Sequence, residues 1–160
     1  MVEAELWMHP QAHAQLKLLL EKRTPGIQSA VTRSLAVFDA LVARCIDSDN
    51  AQQAVSQMRP LPLTSIDVPL LTGWPETSDG REMERLHKGA ILCVFQVDTL
   101  RSSIGILVSD AEIFVVLLAV KVTTTPRNDG FLSDLDAALV NQQLRAELAA
   151  LIDLTWLEAA

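Results

Sequence analysis

The sequence predicts an α+β domain with N-terminal helices, a central antiparallel sheet of three to four strands and a long C-terminal helix. Three observations carry this. Residues Ile91 to Val122, ILCVFQVDTLRSSIGILVSDAEIFVVLLAVKV, form the densest apolar, β-branched stretch of the chain, a composition that suits a pleated surface. The breaks inside it, Asp98 to Ser102 and Asp110–Ala111, are too short for a parallel crossover of about a dozen residues, so an antiparallel meander is expected. On both sides of it, apolar residues recur at the three- and four-residue spacing of a helix face.

Taken in order, residues 1–9 read as a loose arm. Pro10 suits the first turn of a helix, where its missing N–H costs nothing. Gln11 to Arg23 follows as helix, with Leu16, Leu19 and Leu20 on one side, and Pro25–Gly26 ends it. Ile27, Val31, Leu35, Phe38, Val42 and Cys45 mark a second helix from Ile27 to Asp47. Ala51 to Met58 adds further helical turns. Pro60 and Pro62 mark a crossing segment, and Pro69 leaves Thr64 to Val68 as an edge strand at best. Thr72 to Arg81, TGWPETSDGR, is a loop, and Glu82 to Lys88 a short helix closed by Gly89.

If Asp110–Ala111 is a two-residue turn, Ile104, Ile106, Val108, Ile113, Val115 and Leu117 share one face of the sheet. Leu107, Phe114, Val116, Leu118 and Val120 then share the other. Both faces are apolar, so both are expected to be covered. Thr123 to Gly130 reads as a second polar loop. Ser133, with Asp134 and Asp136 behind it, is a good N-cap for a helix over Asp134 to Leu157.

Composition excludes several classes of function. A chain of 160 residues with 49% apolar content suits one domain with its own core rather than a disordered segment. The longest uninterrupted apolar run, Ile113 to Val120, falls well short of the roughly 20 residues of a membrane span. A net charge of −7 argues against nucleic acid, whose phosphates call for clustered Lys and Arg. Cys45 and Cys93 sit in apolar patterns and read as small core residues. The opening MVEAELWMHPQAH lacks an export signal, so a cytoplasmic location is expected.

Chemistry is sparse. There is no nucleophile elbow, phosphate-binding glycine loop or suggestive Cys–His spacing. His9 and His13 are interrupted by Pro10, so no metal and no cofactor is expected. The densest polar grouping is the loop of residues 72–88, with Trp74, Asp79, Arg81 and His87, to which Arg127 in residues 123–130 can be added. A solvated loop with ion pairs such as Glu84 with Lys88 accounts for most of it. Cys93, Gly105 and Ala119 are small enough to let another element approach the sheet. The expected function is a non-catalytic interaction or assembly module, such as an adaptor, dedicated chaperone or inhibitor-type protein. Its partner is another protein or a second copy in a homodimer. The competing expectation is a small enzyme or ligand-binding protein with a pocket between loops 72–88 and 123–130.

Overall fold

The computed structural model describes residues 3–24, 26–48, 50–63, 72–110 and 112–128. Among them run β1 (Glu3–Met8), α1 (Pro10–Glu21), α2 (Ile27–Ser48), α3 (Ala51–Met58), α4 (Ser78–Leu86), a 3-10 turn (His87–Gly89), β2 (Ile91–Val108) and β3 (Glu112–Asn128). The sheet is mixed, with strand order β1-β3-β2: β1 runs parallel to β3, and β2 antiparallel to it.

This corrects the antiparallel meander. The break expected at Asp98 to Ser102 is not a turn, and β2 passes straight through it. Asp98 takes a left-handed φ of 53° and the register with β3 slips between Asp98 and Leu100, which makes this an irregular bulge. The buried Gln96 side chain holds it. Its Nε2 faces the carbonyls of Asp98 and Thr125 at 2.8 and 2.7 Å and Thr123 Oγ1 at 3.1 Å. Polar residues that read as a turn are therefore satisfied inside a strand pair.

Residues 3–8 are not a loose arm either. They alternate Glu3, Glu5 and Trp7 with Ala4, Leu6 and Met8, and they pair with Glu112 to Leu117. Thr123 to Asn128, expected as loop, continues β3, and Pro126 is accommodated where the register slips. No long C-terminal helix occurs among the described residues. The helix expected over Asp134 to Leu157 and the edge strand expected over Thr64 to Val68 lie outside them.

The helices α1, α2 and α3 cover one sheet face. Leu16, Leu20, Val31, Phe38, Leu41 and Cys45 pack there against Phe95, Leu100, Ile104, Ile106, Val115 and Leu117. Gln15 anchors α1 across β3 by accepting the Val120 amide at 2.9 Å. The opposite face carries a smaller cluster of Leu107, Phe114, Val116 and Leu118 under Trp74 and Met83. Val120 belongs to the helix-covered face instead. A second slip, between Ser103 and Ile104, leaves Leu118 as an extra residue and reverses the alternation beyond it. Helix α4 starts earlier than Glu82 because Thr77 Oγ1 accepts the Gly80 amide at 3.0 Å and caps it at Ser78.

Candidate functional site

The two edges of the sheet differ. On the β2 side, the crossing segment lies against the edge, with Leu61 N donating to Val94 O at 2.8 Å. On the β1 side, no strand pairs with β1 except β3 among the described residues. Beside that open edge lies a groove of about 890 Å³. Ala4, Leu6 and Met8 form its floor, and Leu35, Phe38 and Val42 of α2 form a wall.

The wall follows from helix geometry. Leu35, Phe38 and Val42 are three and four residues apart, so one face of α2 presents all three. Leu35 and Phe38 are buried while Val42 is half-buried. Leu6 is 38% exposed, an unusual position for a leucine on a sheet edge. Glu5, Asp39 and His13 also line the groove. Glu5 and Asp39 are exposed, so this rim is acidic, and Glu3 two residues before Glu5 on β1 is exposed as well.

A second grouping lies on the opposite face. His9 ends β1 and caps α1, its Nδ1 accepting the Gln11 amide at 3.0 Å. Its ring is buried edge-to-face against Trp74, with centroids 4.7 Å apart, and Trp74 stacks in turn on His87 at 5.9 Å. His9 Nε2 and Trp74 Nε1 are both buried, and among the described residues neither meets a partner in hydrogen-bond geometry. Burial holds the His9 pKa below the ordinary imidazole value, an effect partly offset by the Thr72 backbone. With Nδ1 accepting, the neutral ring keeps its proton on Nε2.

The residues singled out in the sequence do not converge. Trp74 is core, Asp79 lies in the first turn of α4, and Arg81 is exposed on that helix. His87 joins Trp74 through the stack. Arg127 sits opposite Asp98 on β3, on the order of 30 Å of extended strand beyond Leu118, the last β3 residue of the Trp74 cluster. Cys93 is buried beneath the helices. The room left by Gly105 is taken by Leu118, whose Cδ1 would stand 3.0 Å from a Cβ built there. Ala119 is half-buried on β3.

Burial pushes the Cys45 thiol up to about 11 and the Cys93 thiol to about 12, so neither is an activated nucleophile. Among the described residues, no three His, Cys, Asp or Glu side chains gather into a metal site. No helix among them is long and apolar enough to cross a membrane. The groove escaped sequence reading because its floor is β1, whose alternation of Glu3, Glu5 and Trp7 with Ala4, Leu6 and Met8 was the available signal. Comparison with protein-family models, curated proteins and solved structures finds no match to this chain.

Proposed function

We propose that this chain is a non-catalytic protein-interaction module that binds another protein, or a second copy of itself, along β1. One observation carries the reading: an apolar groove lies directly beside a strand edge that no other described strand covers. Main-chain groups at such an edge supply affinity, and apolar recesses beside them supply selectivity. Strand addition of this kind is one recurring recognition mode among adaptor and chaperone proteins. Both cysteines are free thiols, which agrees with a reducing compartment such as the cytoplasm.

The test is site-specific photo-crosslinking in cells, with a photoreactive phenylalanine analogue at Leu6 or Val42 and at the exposed α1 residue Lys17 as control. Discrete protein adducts at Leu6 and Val42, absent at Lys17, are expected. Equal labelling at all three sites, or none at Leu6 and Val42, would remove the proposal.

A further inference from the structure

Resting on that reading, we infer that the partner adds a β-strand to the edge of β1 that faces away from β3, and that this strand alternates apolar and basic residues. The backbone sets the first half of the inference. The His9 amide donates to Leu117 O at 2.9 Å, so the period-two alternation of a strand points the N–H and C=O groups of Ala4, Leu6 and Met8 away from β3. Among the described residues no main-chain partner meets them. A fourth strand completes that row.

Side-chain chemistry sets the second half. On the groove side, every second residue of the added strand lies beside exposed Leu6 and half-buried Met8 and Val42, which suits Val, Ile or Leu. On the opposite side the intervening residues lie beside Glu3, Glu5 and Trp7. Opposite charges directly across two strands are favourable and like charges unfavourable, so Lys or Arg belongs there. A second copy of β1 fits poorly. Antiparallel pairing centred on Ala4 sets Glu3 against Glu5, and pairing centred on Glu5 sets that residue against itself. The registers centred on Leu6, Trp7 or Met8 avoid an acid–acid pair, but two chains of net charge −7 still repel.

The experiment uses the full chain, isotope-labelled for NMR, and three synthetic eight-residue probes. One alternates Val with Lys, one alternates Val with Glu, and one carries the Val–Lys composition in two blocks. The Val–Lys probe is expected to shift the amides of Ala4, Leu6 and Met8, slow their hydrogen exchange, and bind roughly tenfold more tightly than either control. The Glu3→Lys/Glu5→Lys variant is expected to reverse the preference in favour of Val–Glu. Equal binding of all three probes, or no binding by Val–Lys, would overturn the inference. So would slow exchange at those amides without any probe: independent of protein concentration it means a segment of the same chain, and concentration-dependent it means a second copy. Crosslinks at Leu6 in cells together with failure of the Val–Lys probe would leave an interaction module that does not take this strand.

Discussion

The imidazole of His9 stands perpendicular to the indole of Trp74, with ring centroids 4.7 Å apart. That contact ties the end of β1 to the cover of the far sheet face, while the same imidazole caps α1 through its Nδ1. One small ring therefore joins three parts of the fold, and only its neutral form does so. Protonation removes the acceptor at Nδ1 and places a charge in a buried site whose desolvation the Thr72 backbone offsets only in part.

A pH dependence follows. The folded-state pKa of His9 is lowered by burial, so below about pH 6.5, the ordinary imidazole value, the unfolded chain binds a proton that the folded chain refuses. Stability therefore falls as pH drops through that value and is fully present above it. Thermal melting of the native chain and of His9→Asn, which retains a capping side chain, is expected to diverge between neutral pH and mildly acidic pH. The variant should show the flatter profile, although His87 on the far side of Trp74 is unchanged in both. Parallel profiles would mean that His9 is protonated in the fold at no cost.

Two glycines give opposing tests of packing. A Cβ at Gly80 would stand 2.1 Å from the Pro75 carbonyl oxygen, and backbone does not yield as a side-chain tip does. Gly80→Ala should destabilise by about 3 kcal/mol, despite the roughly 1 kcal/mol that Ala gains over Gly within a helix. For Gly105→Ala the nearest atoms are side-chain carbons of Leu118 and Leu107, and the change should cost about 1 kcal/mol. Urea denaturation measures both. Combining Gly105→Ala with Leu118→Ala should cost less than the sum of the two alone, since the second change removes the obstruction.

Both large faces can be probed through phenylalanine. Phe38 is buried beneath the helices, and Phe114 lies on the opposite face, edge-to-face with Trp7 at 6.3 Å. Replacing either with alanine should cost about 3–5 kcal/mol in chemical denaturation. A near-neutral Phe114→Ala would show that the Trp74 segment does not pack on that face in solution.

The thiols supply a kinetic test. With pKa values of about 11 and 12, Cys45 and Cys93 at pH 8 carry about a thousandth and a ten-thousandth of their population as thiolate. Iodoacetamide should leave both unmodified in the native chain and label both in denaturant, as read by mass spectrometry. Rapid native labelling at Cys93 would mean that the cover over β2 opens readily.

Much of the helical layer was legible in the sequence. Pro10 opens α1, and the spacing of Ile27, Val31, Leu35, Phe38 and Val42 outlines α2, because helix hydrogen bonds and apolar stripes are local. The sheet was less legible, for two physical reasons. Asp98, Arg101 and Ser102 look like a turn when only hydropathy is considered, yet Gln96 and Thr123 hold that stretch in a strand pair by side-chain hydrogen bonds from 24 to 29 residues away. Residues 3–8 are few, and their partner strand lies more than a hundred residues downstream, so no local pattern reveals the pairing. The groove inherits that blindness, since it exists only where β1 meets α2. The loop around Trp74 was legible as polar and exposed at its ends, but the burial of Trp74 against His9 depends on the same distant pairing.

The register of Glu3 with Glu112 also determines when the fold can be completed. A chain emerging from the ribosome can form α1 and α2 early, but β1 has no parallel neighbour until β3 has been made. Leu6, Trp7 and Met8 remain without their sheet throughout that interval. Closing so long a loop makes the sheet a late and slow event relative to the helices. The order of synthesis thus leaves the first described strand waiting for β3.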